Sequence, residues 1–480
     1  MYPVTIFTLG CKLNQLESEA LADSFRKAGF TLVSAGTAIP GPSIIIINTC
    51  TVTSKADQKS RRLIRKALRD NPNSCVLVTG CYAQLDSAEI ALLEAETTAG
   101  ISGSRENRRL FVVGGTGVTK SALLELPGYL LKAAADVPES ETSGDLLPGN
   151  LLPQILERWI EQAQGGGPFN FKPEEFSFHS RGYLKIQDGC DNGCTYCRVC
   201  LARGPSVSLP PEAALAELRS FETRGCAELM VTGVNITQYN HSGLDLAGLL
   251  HYLLEGSASI ALRLSSLEPE GINDKLAPVL AHPRIRPHFH LSVQSGSDTV
   301  LRRMGRAYTS QTVEQGAALV RSVKDNPFLA CDIIAGFPGE TETEFEQTLT
   351  LCEKIGFAWI HAFPYSKRPG TAASSLKNPV CERDATRRVE ALTALALQGR
   401  RDYAQSWLGR ELSAVMEKGE PDSAGRRRAV SENYLKLLVS CSDTYAPGSS
   451  LRCVPVSLCA GADGENPDAV ATDSSMYAKK

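Results

Sequence analysis

Gly189-Cys190-Asp191-Asn192-Gly193-Cys194-Thr195-Tyr196-Cys197 is the stretch whose reading decides the fold. It follows a short apolar run, Tyr183–Ile186, that reads as a strand, so three cysteines occupy the loop at that strand's C-terminal end. The spacing Cys-x3-Cys-x2-Cys lets Cys190, Cys194 and Cys197 hold three irons of a 4Fe–4S cube and leaves the fourth iron without a protein ligand. An open iron can chelate the amino and carboxylate groups of S-adenosylmethionine and pass one electron to its sulfonium; the protein's part is to position it. A structural zinc site is the plain competitor. Zinc, however, closes with four ligands from paired Cys-x2-4-Cys units, and no second pair follows. Cys200 extends the series by one more x2 step, and as a fourth ligand it would block the open iron.

Downstream of this loop, strand and helix patterns alternate in six units. The expected strands are Tyr183–Ile186, Leu229–Thr232, Leu262–Leu264, His288–Val293, Ala330–Ala335 and Trp359–Phe363, separated by helical patterns such as Pro211–Arg224 and Glu342–Ile355. Six β/α units are two short of a closed eight-stranded barrel, so a partial barrel is expected, with its site where the strands end. Polar residues at those ends are candidate contacts for S-adenosylmethionine: Thr232, Gly233 and Asn235 after the second strand, Ser265, Ser266 and Glu268 after the third, Gln294 and Ser295 after the fourth. Tyr196, inside the cysteine loop, either stacks on the cofactor's adenine or simply packs.

Upstream, residues 1–115 also alternate. Val4–Leu9 is a short apolar strand, Gln15–Ala28 a helical pattern, and Ile44–Ile47 a β-branched run suited to a strand buried on both faces of a parallel sheet. Lys55–Arg69 follows as a helix capped by Thr53 or Ser54 and stopped at Asn71-Pro72, and Cys75–Thr79 as a third strand. The expectation is a small doubly wound α/β domain. Cys11, Cys50 and Cys81 fall just past the ends of its first, second and third strands, and so at one edge of a parallel sheet, where open α/β sheets bind ligands. Gly10 and Gly80 would let the backbone approach a bulky cluster. Three converging thiolates again suggest a cube with one free iron; three inert buried cysteines are the alternative.

The whole chain bounds these readings. Its 480 residues suggest two to four domains, and 42% hydrophobic with 21% charged residues describes a folded globular protein. No stretch approaches the ~20 apolar residues of a membrane span, and Met1-Tyr2-Pro3-Val4 does not begin a signal peptide, so a cytoplasmic location and no membrane partner are expected. Fifteen cysteines in that reducing compartment point to metal rather than disulfides. A net charge of −3 does not advertise nucleic-acid binding, so an RNA would be held by local basic patches. Lys55, Lys59, Arg61, Arg62, Arg65, Lys66 and Arg69 make one basic helix, and Arg426, Arg427 and Arg428 form a basic knot expected in a loop. Tyr434 and Lys436, just beyond, could meet an unstacked base. The seven histidines show no ligand spacing.

The domain boundaries expected are 1–115 for the α/β domain, 116–175 for a variable connector, 176–402 for the partial barrel, and 403–460 for a small β-barrel. The β-like runs Ser413–Met416, Leu435–Val439 and Leu451–Val456 suggest that barrel, and 461–480 reads as a disordered tail.

The two cysteine triplets, in this order, resemble the methylthiotransferase family of radical S-adenosylmethionine enzymes. The resemblance runs through Thr8–Gln15, Asn48–Thr53, Val78–Gln84, Gln187–Cys197, Thr232–Asn235, Gln294–Ser297, Gly336–Thr341 and Phe363–Thr371. Thr-Leu-Gly-Cys-Lys-x-Asn-Gln together with Phe-Pro-Tyr-Ser-Lys-Arg-x-Gly-Thr is similar to the MtaB-type branch, which modifies N6-threonylcarbamoyladenosine beside the tRNA anticodon. The resemblance implies an N-terminal methylthiotransferase domain, a radical barrel and a C-terminal RNA-gripping TRAM domain. It also implies two 4Fe–4S clusters with S-adenosylmethionine, tRNA as partner, an electron donor such as flavodoxin or ferredoxin, and a monomer. In the implied chemistry, the N-terminal cluster carries the inserted sulfur, which one S-adenosylmethionine methylates. At the barrel cluster, another is cleaved to a radical that activates carbon 2 of the adenine.

Methylthiolation of isopentenyladenosine or of a ribosomal-protein aspartate is the near alternative, and a non-catalytic iron–sulfur RNA-binding redox sensor the distant one. The sequence departs from the family at Gly193, where a bulky residue is usual, and at Arg198-Val199-Cys200-Leu201.

Overall fold

The computed structural model describes residues 2–34, 41–98, 108–115, 119–137, 151–441, 445–459 and 466–477. It divides into two compact units: Met1–Ser177 with Arg198–Gly204, and Phe178–Cys197 with Pro205–Lys480.

In the first unit, β1 (Val4–Thr8), β2 (Ile44–Thr49), β3 (Cys75–Gly80) and β4 (Leu110–Val112) form a parallel sheet in that order. The isoleucine run Ile44–Ile47 is buried throughout because alternate side chains enter two different cores. Ile44 and Ile46 pack with Val4, Ile6 and the Leu21 and Phe25 side chains of α1 (Lys12–Lys27). Ile45 and Ile47 face Ile64 and Leu68 of α2 (Ser54–Asp70) on the other side. Residues 31–33 settle the winding. Val4 donates to Thr31 O at 2.9 Å and accepts from Val33 N at 2.9 Å, on the edge of β1 opposite β2. The chain thus goes first to one side of β1 and then to the other, which makes the unit doubly wound with its switch point between β1 and β2.

Two further helices, Leu126–Ala135 and Leu151–Gln162, add Leu126, Leu130, Leu152, Ile155, Leu156 and Trp159 to the first of these cores. The segment expected as a connector is therefore structural core where it is described; its residues 116–118 and 138–150 lie outside the described residues.

The second unit begins with six parallel strands: β5 (Gly182–Lys185), β6 (Glu228–Thr232), β7 (Ala261–Leu264), β8 (His288–Gln294), β9 (Phe328–Ala335) and β10 (Trp359–Pro364). They pair as two three-stranded sheets, β5-β6-β7 and β8-β9-β10, linked by bridges Leu262–Ile285 and Leu267–Leu291. This is the partial (β/α)6 barrel, each strand within two residues of its expected limits.

A closed five-stranded barrel follows, β11 (Leu412–Met416), β12 (Arg427–Ser431), β13 (Lys436–Ser440), β14 (Ser450–Leu458) and β15 (Ala469–Asp473), in the order β11-β12-β13-β15-β14. Two expectations are corrected here. The supposed tail supplies β15, which pairs parallel to β13 and antiparallel to β14, and Ala469 and Ala471 are fully buried. Small side chains hid this strand; residues 460–465 and 478–480 lie outside the described residues. Arg427 and Arg428 stand on β12 rather than in a loop.

At the N-terminal ends of the six strands, Glu228 is ringed by guanidinium groups: Arg263 at 2.7 Å, Arg286 at 2.9 Å and Arg181 at 3.6 Å. Burial alone would raise the Glu228 pKa, but Arg263 and its neighbours outweigh that and bring it down to about 2. Arg263 also donates to Ser431 O at 3.0 Å, tying β7 to the end of β12.

Candidate metal centres

Register determines where the N-terminal cysteines sit. Thr8 pairs with Asn48, and Asn48 with Thr79, so the three strands end level and Cys11, Cys50 and Cys81 leave the sheet at one edge. Cys11 caps α1, and Cys81 opens the short helix α3 (Cys81–Leu85). The strand ends are pinned to one another. Asn14 Nδ2 donates to Leu9 O at 2.8 Å and to Thr49 O at 2.9 Å, and Asn48 Nδ2 donates to Asn14 O at 3.0 Å. These buried amides brace the ends of β1 and β2 against the start of α1.

Glycine is required at two points here. A Cβ on Gly10, whose φ is +98°, would lie 2.6 Å from Cys50 Sγ; one on Gly80, φ +95°, would lie 2.2 Å from Thr49 O. The Gly10 side thus keeps open the approach to a sulfur. Burial pushes the Cys50 thiol up to about 12, and the nearby Cys11 and Cys81 thiols add to the rise. Three sulfur donors gathered at a switch point, one of them a buried thiol that resists ionisation, are a set that a cation stabilises. They fit a cluster with three cysteine ligands.

The second triad is local. After β5, Gln187 Nε2 donates to Gly189 O at 2.7 Å, and its Oε1 accepts from Asn235 N at 2.9 Å, so the start of the loop is fastened to the end of β6. Thr195 is held on three sides: its N donates to Met304 O at 2.9 Å, its Oγ1 donates to Arg303 O at 2.9 Å, and its O accepts from Ala373 N at 2.7 Å. Cys194, just before it, is held in place by these bonds, and Cys197, two residues on, donates through its N to Cys194 O at 3.1 Å. All three cysteines are half-buried. Burial raises the Cys190 and Cys194 thiols, while Arg306 Nη1, 3.3 Å from Cys194 Sγ, acts the other way. This set also fits a cube. At the departure position Gly193, a Cβ would meet nothing within 4 Å. The bulky residue usual there would project into open space.

The other departure belongs to the first unit. Arg198, in the turn before the short helix Val199–Arg203, makes a two-pronged ion pair with Asp86 at 2.9 and 3.1 Å. Arg203 reaches Glu17 at 3.0 Å and Asn14 Oδ1 at 3.1 Å.

Of the expected cofactor contacts, Thr232 is the last residue of β6, Gly233 sits against Gln187, and Asn235 caps the next turn and bonds toward Cys190. Ser266 Oγ lies 3.3 Å from His290 Nδ1, and Gln294 is buried with φ +65°, a strained backbone for a residue other than glycine. The Tyr196 ring meets Phe337 edge-on at 6.4 Å within a cluster of Val300, Met304 and Ala373, so packing is the role seen.

The basic surfaces are partly neutralised. Arg61 donates to the Tyr82 hydroxyl at 2.8 Å and pairs with Glu89, and Arg65 pairs with Glu96. Lys55, Lys59, Arg62, Lys66 and Arg69 are exposed along α2. Arg426 pairs with Asp422, Arg427 donates to Tyr445 O, and Arg428 is exposed. Tyr434 stacks on His288 at 3.9 Å and lies beneath Arg263, an internal contact rather than an offered face. One grouping escaped the sequence reading. His290, Asp332 and His361 come together on β8, β9 and β10, their donor atoms within 4.8 Å of one another. Asp332 and His361 are direct cross-strand partners and His290 stands two positions earlier, level with Ala330; no sequence spacing marks the group.

An α/β unit with a cysteine triad at its switch point, followed by a six-stranded barrel with a second triad after its first strand, defines a two-cluster radical S-adenosylmethionine protein. Residues 3–101 match the uncharacterized protein family UPF0004, and residues 184–352 match the Radical SAM superfamily. The threonylcarbamoyladenosine tRNA methylthiotransferase MtaB of Treponema pallidum is 40% identical over 461 residues, 91% of this chain and 94% of that one. The protein of the same name from Thermotoga maritima is 34% identical, covering 87% of each chain. The tRNA-2-methylthio-N(6)-dimethylallyladenosine synthase of Cereibacter sphaeroides is 30% identical over 86% of this chain and 87% of its own. The chain belongs to the radical S-adenosylmethionine methylthiotransferase family.

Proposed function

We infer that this protein is a tRNA methylthiotransferase that places a methylthio group on carbon 2 of N6-threonylcarbamoyladenosine. The near full-length likeness to the MtaB proteins carries this reading, and it is stronger than the likeness to the dimethylallyladenosine synthase. Cys11, Cys50 and Cys81 are assigned to an auxiliary 4Fe–4S cluster, and Cys190, Cys194 and Cys197 to the radical cluster. When bound, the clusters and S-adenosylmethionine supply one-electron cleavage of the sulfonium together with the sulfur and methyl group transferred.

This chain's residues orient and protect. Asn14 and Asn48 hold the strand ends that carry Cys11 and Cys50. Gly10 leaves room beside the Cys50 sulfur that a side chain would fill. Thr195 fixes the Cys194–Cys197 turn from three directions, and Arg306 favours the thiolate form of Cys194. Thr232, Gly233, Asn235, Ser266 and Gln294 line the strand ends assigned to S-adenosylmethionine. Lys55, Lys59, Arg62, Lys66 and Arg69 of α2 and Arg428 of the small barrel offer cations to tRNA phosphates, contacts that position without reading sequence. Among the described residues no helix is long and apolar enough to cross a membrane. A cytoplasmic monomer reduced by flavodoxin or ferredoxin completes the reading.

The test is mass spectrometry of tRNA nucleosides from a strain lacking the gene. The methylthio form of threonylcarbamoyladenosine disappears and its unmodified precursor accumulates, while the methylthio form of isopentenyladenosine persists. Loss of the latter instead, or of a methylthio aspartate on a ribosomal protein, overturns the substrate.

A further inference from the structure

Strand alternation sorts the side chains of β8, β9 and β10 onto two faces. Phe289, Leu291, Cys331, Ile333 and Ile360 are buried. His290, Asp332, His361 and Phe363 take the opposite face, where burial is incomplete and Phe363 stays 42% exposed. Single exposed apolar side chains are ordinary, and Phe178 is as open as Phe363; what sets Phe363 apart is the ring beside it.

The rings of His361 and Phe363, two residues apart on β10, lie parallel to within 8° with centroids 6.4 Å apart. Two residues on one face of a strand stand about this far apart, and two stacking distances of ~3.4 Å ask slightly more, so a planar ring enters once the two side chains part by a few tenths of an ångström. Beside the gap is a polar edge: His290 Nε2 is 3.1 Å from Asp332 Oδ1, and Asp332 is the direct cross-strand partner of His361. A metal held by His290, Asp332 and His361 is the competing use. Trp359 Nε1 donates to His361 Nδ1 at 3.2 Å, however, which makes that nitrogen an acceptor and puts the ring's hydrogen on the other. His361 in that tautomer has no lone pair left for a metal.

We propose that this face receives the target nucleobase, a purine ring entering between His361 and Phe363 with its polar edge toward His290 and Asp332. The proposal rests on the tRNA reading above. Single-stranded RNA is read in this way, by bases taken out of the stack onto aromatic side chains. The adenine of S-adenosylmethionine is the other purine at hand: of the residues assigned to it, Asn235 lies on the other three-stranded sheet, but Gln294 ends β8 and Ser266 meets His290 at 3.3 Å, so the experiment separates the two.

The experiment uses the cluster-loaded protein, without reductant for the fluorescence and with dithionite for turnover, and an anticodon stem-loop carrying 2-aminopurine at the target position. Wild type quenches the fluorescence on binding. His361→Ala and Phe363→Ala lose the quenching and raise the KM for tRNA by roughly 10- to 100-fold, and Phe363→Tyr restores both. Unchanged quenching and KM in the two alanine variants overturn the proposal. So does weakened S-adenosylmethionine binding measured without RNA, which moves the slot to the cofactor. A stoichiometric metal present in wild type and lost in Asp332→Asn overturns it as well. A wild-type protein inert toward tRNA refutes the function itself, a separate failure.

Discussion

The two cysteine triads have the same donors but are built in opposite ways. Cys190, Cys194 and Cys197 lie within eight residues of one loop, pinned mainly through Thr195. Cys11, Cys50 and Cys81 are spread over 71 residues and meet because three strands end level and buried asparagines cross-brace the ends. A site made by a loop tolerates changes nearby, whereas a site made by a sheet edge depends on every strand that forms it.

The sharpest test of this contrast removes one ligand from each. Cys194→Ala should abolish formation of 5′-deoxyadenosine and drop about four irons per chain, leaving the other cluster intact. Cys50→Ala should drop a similar amount of iron yet keep the cleavage of S-adenosylmethionine. If Cys50→Ala leaves the iron count untouched, the sheet-edge triad is not a cluster site.

Gly10→Ala comes next. Its added methyl would meet Cys50 Sγ at 2.6 Å on a backbone of φ +98°, so auxiliary iron should fall and the protein lose about 1–3 kcal/mol in denaturant unfolding. Asn14→Ala removes the side-chain amide that donates to both the Leu9 and Thr49 carbonyls. A cost of about 1–3 kcal/mol is expected, with auxiliary iron retained less well than radical-cluster iron. The smallest effect belongs to the loop. At Gly193 nothing lies within 4 Å, so Gly193→Ala should change iron content and melting temperature hardly at all. A large loss at Gly193 would erase the contrast.

The same contrast explains what the sequence disclosed. The loop triad and the six barrel strands were legible because motif and periodicity are local, and the isoleucine run Ile44–Ile47 announced a strand with two buried faces. The N-terminal triad was legible only through the strands that precede each cysteine. Two features lacked a local signal. Ala469–Asp473 is too poor in large apolar residues to read as a strand, and it becomes one by pairing with Lys436–Ser440 and Ser450–Leu458. Arg427 and Arg428 read as a loop knot, because a run of arginines gives no alternation. The His290–Asp332–His361 grouping has no sequence spacing at all, since 42 and 29 residues separate its members.

The position of β15 also bears on how the molecule is made. This strand lies between β13 and β14, and Asp468, just ahead of it, forms a buried two-pronged pair with Arg400 at 2.6 and 2.7 Å. During synthesis the ribosome has released everything up to β14 before β15 emerges, so two strand edges and one buried guanidinium await their partners. A nascent chain stalled before residue 468 would therefore be sticky and unable to shut its small barrel. Quality control could recognise it by those open edges.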